Sequence, residues 1–377
     1  MRLIFVTDTL SSGGAERVVS ILANHFAHKW ATEIICLRKM DVFYEINPEV
    51  KILFADDYAK GWMGKLYWIR KHVNKDDVLL PFMVKVYCVT LLALIGKRMN
   101  VIASERNDPK TTELPWRVLR PLLLPKVQAL VVQTQQIKDY FKNNIKKKIE
   151  IIVNPLDLKN CYQGEWNTQS KTLIAVGRTD PQKNYPMMIR AFNKVHMNYP
   201  DYKLEIWGNR TMGGGKLADL IDELGASDYI SIHGRTDNMA SLYGRAYMFV
   251  MSSDYEGLSN ALIEALCSGL PVVTTKVSGA TDVIKSGENG LLVDIGDEHG
   301  FCQAMELLIG KPEEARRMAD KARQSRLIFA KEKICSQWES LISKSIEYEQ
   351  KESCISDDGL QEEWTGAADA EHHQKLR

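Results

Sequence analysis

The sequence predicts an α/β protein built from two doubly wound domains, each with a parallel sheet covered by helices on both faces. Three observations support this prediction. The chain has 377 residues, which is too many for one ordinary hydrophobic core. Short apolar runs with the length of buried strands alternate with longer runs that have helical periodicity. This alternation starts near the N-terminus and starts again near residue 172.

The first predicted unit is a buried strand over 3–7, a turn that contains Gly13 and Gly14, and a helix from Val18 to Phe26. Strand, glycine turn and helix form the opening unit of a doubly wound fold. Paired glycines let the backbone approach a ligand at a helix N-terminus, where free N–H groups favour an anion. A tight turn without a ligand is the alternative, because the spacing is not that of a dinucleotide fingerprint.

Six more strands are predicted in this half, over 33–37, 50–54, 78–82, 100–104, 129–133 and 149–153. Polar side chains, Glu105 and Arg106 among them, follow the strand that ends at Ser104. Ligands bind at the carboxyl ends of strands in open α/β sheets, so a site is expected there. Asn154 and Pro155 end the last strand. The predicted N-terminal domain covers 1–160.

The segment over 61–71 mixes tryptophan, tyrosine and basic residues. That composition suits a membrane interface, and an amphipathic helix that packs on the core is an equal alternative. The net charge of +1 is unevenly distributed: residues 1–150 hold 24 Lys and Arg against 15 Asp and Glu, and the rest hold 25 against 33. The basic half favours an anionic partner surface, with solvated charge as the alternative.

The second half repeats the pattern. Its predicted strands are 172–176, 203–207, 229–233, 247–251, 271–275 and 290–293, and its predicted helices are 187–195, 216–224, 239–243, 261–266 and most of 297–350. The predicted C-terminal domain covers 161–335. A helix over 336–350 is predicted to pack back on the N-terminal domain. The polar tail over 351–377 is predicted to be disordered.

The seven cysteines are scattered without a C-x-x-C pair, which indicates a reducing compartment and argues against structural zinc. The apolar run at the N-terminus is too short for a secretory signal, and no apolar run reaches about 18 residues. These observations predict a cytoplasmic location.

One stretch, Asp254 to Glu264, combines the end of a predicted strand, a polar turn and the start of a helix. Free N–H groups and the helix dipole at such a point favour an anion. Two glutamates, Glu256 and Glu264, stand on either side of the turn. We therefore predict that a negatively charged nucleotide binds here. The turn residues that would contact it are Gly257, Leu258, Ser259 and Asn260.

Arg178 and Lys183 follow another predicted strand and offer positive charge to a diphosphate. Arginine binds phosphate through a bidentate fork, and lysine acts as a point charge. Glu264 is positioned to accept ribose hydroxyls, and Glu256 to reach the transferred group. Taken singly, each residue is an ordinary surface charge, so the prediction depends on their shared position on strand-end loops.

Taken together, these motifs resemble those of family-4 glycosyltransferases, which are retaining enzymes of the two-domain GT-B fold. The string found here after Ser104 is most similar to that of bacterial surface-polysaccharide glycosyltransferases. The resemblance spans about residues 1–345. The matching segments are Gly13 to Arg17, Ile152 to Pro155, Gly177–Arg178 with Lys183–Asn184, Glu256 to Glu264, and the glycine-containing strands near 271–293.

The resemblance implies transfer of a sugar from a nucleotide-diphosphate donor, such as a UDP-sugar, with retention at the anomeric carbon. It implies no metal and no other cofactor, so Arg178, Lys183 and backbone N–H groups would stabilise the leaving diphosphate. The implied acceptor is polyprenyl-linked or a glycan in exopolysaccharide, capsule or O-antigen assembly. The implied location is the inner face of the membrane, with peripheral contact to anionic lipid. No nucleic acid is expected as a partner.

Two features depart from the family pattern. Many relatives have a histidine after the strand that ends here in Ser104, so Glu105 or Arg106 would lie near the donor sugar, and which of them assists stays open. The loop over 208–215 is longer than usual and would flank the base pocket. A nucleotide-sugar-binding protein without catalysis and a nucleotide-sugar epimerase are the alternative functions.

Overall fold

The computed structural model of the protein describes residues 1–142, 148–209 and 214–347. The strands are β1 (Arg2–Thr7), β2 (Ala31–Cys36), β3 (Lys51–Phe54), β4 (Val78–Pro81), β5 (Asn100–Ser104), β6 (Ala129–Val132), β7 (Lys148–Ile151), β8 (Thr172–Val176), β9 (Lys203–Trp207), β10 (Ile230–His233), β11 (Met248–Met251), β12 (Val272–Thr275) and β13 (Leu291–Val293). All thirteen predicted strands are present, with ends that differ from the predicted ones by at most two residues.

The helices alternate with these strands. They are α1 (Gly14–Phe26), α2 (Ala55–Tyr58), α3 (Gly61–His72), α4 (Val84–Ala93), α5 (Leu114–Leu123), α6 (Gln135–Phe141), α7 (Tyr185–Asn198), α8 (Gly214–Glu223), α9 (Met239–Gly244), α10 (Asn260–Cys267), α11 (Ser278–Val283), α12 (Glu298–Gly310), α13 (Pro312–Arg323), α14 (Arg326–Phe329) and α15 (331–347). The sequence did not predict α2 and α11, because four and six residues are too few to show a helical period. None of the helices in the described part of the chain is both long and apolar enough to cross a bilayer.

The strands form two sheets in which all the paired neighbours run parallel. The first sheet has the order β3-β2-β1-β4-β5-β6-β7, and the second has the order β10-β9-β8-β11-β12-β13. In each sheet the first strand of the chain lies in the interior, and the next two strands are added on one side of it. The chain then crosses over and adds the remaining strands on the other side, as in doubly wound folds. The predicted class, two Rossmann-like parallel-sheet domains, is confirmed. We call the first sheet with its helices the N-terminal domain and the second the C-terminal domain.

Helix α3 lies on the surface of the N-terminal domain. It buries Lys65 and Ile69 and exposes Trp62, Met63 and Tyr67. The Lys65 ammonium donates to the backbone carbonyl of Leu37 at 2.7 Å, which fixes the helix to the core. The structure therefore shows a helix that packs on the core, and its exposed Trp62 and Tyr67 still suit the predicted membrane interface.

Helix α15 returns to the N-terminal domain. Trp338 is fully buried there, in one hydrophobic cluster with Leu3 and Phe5 of β1. The helix starts five residues before the predicted 336, directly after a bridge between Ala330 and Leu156. Residues 348–350 of the predicted helix and the tail over 351–377 lie outside the described residues.

Candidate active site

The candidate site lies where the carboxyl ends of the two sheets face each other. The strand order restarts between β1 and β4 in one sheet and between β8 and β11 in the other. Ligands of open α/β sheets bind at such positions. The turns after β1 and β6 contact the segment after β11, with Asn260 Nδ2 lying 3.5 Å from Gly14 O and Leu258 N lying 3.2 Å from Gln133 Oε1. The two domains therefore enclose one cleft.

Lys183 and Glu256 form an ion pair on the C-terminal side of this cleft. Ser253 donates a further hydrogen bond to the same Glu256 oxygen at 3.3 Å. The side chains of Gln182 and Asn184 bind the segment after β11 at 2.8 Å each, so Lys183 is held between two anchored neighbours. The structure thus joins the predicted cation and carboxylate directly.

Arg178 lies at the end of β8 and is the more accessible cation. Its side chain is 57% exposed, and Nε lies 3.0 Å from Asp180 Oδ2. Burial raises the pKa of Glu16, on α1 of the opposite domain, and the charge of Arg178 partly opposes this increase. Arg178 therefore faces the N-terminal domain across the cleft.

Gly177 leaves room for the lysine. A Cβ atom added to Gly177 would lie 2.9 Å from both Lys183 Cε and Tyr185 Oη. A larger residue would displace one of these groups, because contacts below 3 Å are not tolerated. The absence of a side chain at Gly177 thus leaves space for the Lys183 side chain over the end of β8.

Glu264 is buried on α10, and both of its carboxylate oxygens have protein partners. Arg17 of α1 binds Oε1 from across the cleft, and Tyr243 Oη donates to Oε2 at 2.8 Å. The burial of Glu264 was not expected from a helix start with polar neighbours. A carboxylate has about four lone-pair sites, so ribose hydroxyls can still add to this arrangement.

The segment Gly257 to Asn260 packs directly against the N-terminal domain. Leu258 N donates to Gln133 Oε1 at 3.2 Å, so this amide, which was predicted to contact the ligand, has a protein partner here. A Cβ atom on Gly257 would lie 2.5 Å from both Gln133 Oε1 and Arg106 O. Ser259 occupies the N-cap position of α10, and its side chain makes no capping hydrogen bond. The turn is thus a contact between domains as well as a candidate anion site.

Gly13 and Gly14 start α1 opposite this turn. Tyr44 Oη donates to Gly13 O at 2.8 Å. A Cβ atom on Gly14 would lie 3.3 Å from Asn260 Nδ2, so the Gly14 backbone lies close to the Asn260 side chain. The structure therefore brings the predicted glycine turn to the predicted helix start of the other domain.

Glu105 does not lie in the cleft, which corrects its expected position near the donor sugar. Its amide donates to Val131 O at 2.9 Å, so strand pairing continues past β5 and directs the side chain into the core. The carboxylate accepts a hydrogen bond from Tyr87 Oη at 2.9 Å and lies 3.8 Å from Arg120. Burial raises the pKa of Glu105.

Arg106 is also buried, on the opposite side of the extended strand. Its guanidinium lies over the rings of Phe82 and Trp338, at 5.1 and 5.5 Å from their centres. It donates to Ser104 Oγ at 2.7 Å and to Asn154 Oδ1 at 3.1 Å. Burial lowers its pKa to about 9. The side chain supports the interdomain contact rather than facing a donor sugar.

Sequence reasoning missed three residues at this interface. Asn154 was seen only as the end of a strand, yet it links both domains. Its Oδ1 accepts from Arg106 and from Gln133 Nε2, and its Nδ2 donates to Leu258 O at 3.1 Å and to Asn260 Oδ1 at 2.7 Å. Arg17 falls within the Gly13 to Arg17 match, which assigns it no role. A motif match alone could have singled out Arg17 and Asn154, whereas nothing in the sequence indicated Gln133.

The fold and this site define a class of protein. A family model described as Glycosyl transferases group 1 matches residues 161–325. The N-acetyl-alpha-D-glucosaminyl L-malate synthase of Bacillus anthracis is 32% identical over 325 residues, which cover 79% of this chain and 83% of that protein. The chain belongs to the glycosyl transferases group 1 family, and it is a glycosyltransferase.

Two further proteins are similar over nearly the whole chain. A Campylobacter jejuni protein named GalNAc-alpha-(1->4)-GalNAc-alpha-(1->3)-diNAcBac-PP-undecaprenol alpha-1,4-N-acetyl-D-galactosaminyltransferase is 27% identical, over 91% of this chain and 99% of that protein. The crystal structure of Anabaena HepE in complex with UDP matches with a TM-score of 0.77 at 15% identity, over 91% of this chain and all of that one. The predicted GT-B fold is confirmed.

Proposed function

We propose that this chain is a retaining, family-4 glycosyltransferase that moves a sugar from a UDP-sugar to a polyprenyl-linked or glycan acceptor in bacterial surface-polysaccharide assembly. The observation that carries the proposal is the Lys183–Glu256 ion pair at the strand-order restart of the second sheet. The relative named for an undecaprenol-linked substrate supports the acceptor class, and the similar structure titled with UDP supports the donor class.

The diphosphate of the donor takes the place between the cations and the turn after β11. Lys183 leaves Glu256 for the phosphates, and exposed Arg178 binds them from the other side. Negative charge grows on the departing diphosphate in the transition state, so donors fixed in advance lower the barrier. We propose that this arrangement needs no metal ion.

Glu256 and Glu264 have separate tasks in this proposal. Once Lys183 has moved, the Glu256 carboxylate is released toward the transferred sugar. Glu264 stays anchored by Tyr243 and accepts the ribose hydroxyls with its remaining lone pairs. Gly13 and Gly14 let the N-terminal domain approach the donor closely, because the backbone of Gly14 already lies against the Asn260 side chain of the other domain.

The acceptor approaches along the N-terminal domain at the inner face of the membrane. Helix α5 supports this placement, because it exposes Leu114, Val118 and Leu122 by 62, 57 and 68%. These residues are four apart, so they share one face, and α5 contains no acidic residue. An apolar stripe beside cations suits the surface of an anionic bilayer.

Incubation of the protein with a panel of radiolabelled nucleotide-sugars and a bacterial lipid extract tests the proposal. We expect transfer to lipid from one UDP-sugar, with α-linkage from an α-donor and unchanged rates in EDTA. Interconversion of the free donor without transfer would instead identify an epimerase. Donor binding without either reaction would identify a non-catalytic protein.

A further inference from the structure

Arg17 reaches across the cleft from the N-terminal domain to Glu264, and the proposed function leaves it without a part in donor binding. We propose that Arg17 is a donor-binding residue: it holds Glu264 with one arm of its guanidinium and donates from the other arm to a phosphate oxygen of the nucleoside diphosphate. This inference rests on the proposed function and adds to it a phosphate contact from the N-terminal domain.

The geometry fixes one arm of the guanidinium. Arg17 lies in the first turns of α1, and its Nη1 binds Glu264 of the opposite domain. Tyr243 Oη holds the second oxygen of that carboxylate at 2.8 Å, so the carboxylate cannot turn away. Arg17 is therefore oriented by an anchored partner.

The other arm has no partner. Arg17 Nη2 is buried, and no atom of the described residues accepts a hydrogen bond from it. An unpaired buried donor is rare, and leaving a charged group unpaired is costly. Burial would lower the pKa of Arg17, but the Glu264 carboxylate raises it above its ordinary value, so the group stays charged. Arg17 Nη2 is thus a charged hydrogen-bond donor that is available to an acceptor group of a ligand in the cleft.

A phosphate oxygen suits this donor best. Arg17 follows directly on the Gly13–Gly14 turn, and Arg178 faces the same helix from the other domain. Guanidinium groups match phosphate geometry and are only weakly hydrated. A ribose hydroxyl that donates to Glu264 could also accept from Nη2, but it is neutral, whereas a phosphate oxygen is charged and makes the stronger hydrogen bond with a guanidinium.

Calorimetric titration of the whole chain with uridine, UMP and UDP tests the inference. In Arg17→Lys the single ammonium can still pair with Glu264 but offers no second arm. We expect the affinity for UDP to fall about 10- to 100-fold, as for loss of one charge-assisted hydrogen bond. The affinity for uridine should change less than about threefold. Arg17→Gln, which keeps an amide donor for Glu264, should show the same pattern.

Arg235→Gln is the matched control. Arg235 also spans the cleft, with its guanidinium 3.8 Å from the ring centre of Phe43, but it does not touch Glu264. The affinity of Arg235→Gln for UDP should stay within about threefold of that of the unmodified protein. Full UDP affinity in Arg17→Lys, or equal losses for uridine and UDP, would overturn the inference alone. Absence of UDP binding by the unmodified protein would overturn the proposed function as well.

Discussion

Lys183 is bound to Glu256 in the cleft, so the cation that the proposed function assigns to a diphosphate is held by the carboxylate that it assigns to a sugar. Both side chains are largely buried, at 14 and 13% exposure, which strengthens their attraction relative to a surface pair. A diphosphate carries more negative charge than one carboxylate. We therefore expect that, when the donor binds, the Lys183 ammonium pairs with the diphosphate and the Glu256 carboxylate loses its ion-pair partner.

Replacing Lys183 by methionine should reduce transfer by about 10²- to 10³-fold, because one preorganised donor to the leaving group is lost. The rate of sugar transfer at saturating donor measures this. Lys194→Met is the control: Lys194 sits on α7 with an exposed pair to Glu298, and its loss should leave the rate unchanged. Equal rates in Lys183→Met and the unmodified protein would refute the assigned role.

The two glutamates should separate in steady-state kinetics. Glu256→Gln is expected to lower kcat with little change in the KM for donor, because the proposed function places the Glu256 carboxylate at the reacting sugar. Glu264→Gln should mainly raise that KM, since it weakens ribose binding and the pair with Arg17. The opposite split would exchange the two roles.

Asn154→Ala should destabilise the folded protein by about 2–4 kcal/mol. The substitution leaves the Gln133 amide, the Arg106 guanidinium and Leu258 O each short of a partner in a buried setting. Chemical denaturation measures the free energy of unfolding. Asn160→Ala, in the segment between the domains, should change it by less than about 0.5 kcal/mol. A similar small change for Asn154→Ala would show that the cross-domain contacts are weak.

Glu105→Gln tests the correction made to that residue. Burial raises the folded-state pKa of Glu105, so the folded protein holds this proton more tightly than the unfolded chain does. Stability of the unmodified protein should therefore decline as pH rises from the ordinary glutamate value through the raised one. Glu105→Gln lacks this titrating group, so its free energy of unfolding should rise relative to that of the unmodified protein over the same pH range. Chemical denaturation at several pH values measures the difference.

The same variant separates structure from chemistry. Because the Glu105 carboxylate binds Tyr87 inside the core, Glu105→Gln should keep transfer within a few fold. A loss of 100-fold or more with intact stability would return Glu105 to the catalytic site.

Val118→Asp on α5 should weaken sedimentation with anionic vesicles at low salt, because it places a charge in the exposed apolar stripe. Leu327→Asp is the matched control, as Leu327 is 77% exposed on α14 of the other domain. Transfer to a short water-soluble acceptor should be unchanged in both. If the two variants sediment alike, the membrane contact does not involve α5.

The sequence alone determined the fold class and the position of most site residues along the chain. Apolar runs with strand and helix periods are local signals, and parallel sheets place the ends of such strands along one edge. This is why Lys183 and Glu256, on different predicted loops, could be assigned to one site. Local chemistry also explains why Thr134 caps α6, where its hydroxyl accepts from Ile137 N at 3.1 Å.

Only the tertiary structure decided which polar residues face the cleft. Glu105 and Arg106 follow a strand as Arg178 does, but strand pairing continues past Ser104 and buries both under Tyr87 and Trp338. Trp338 belongs to a helix more than 200 residues further along the chain, so no local sequence pattern could indicate that its ring covers Arg106. The link from Arg17 to Glu264 likewise depends on how two separate cores pack, because pairing across domains is set by their orientation rather than by either segment's own sequence.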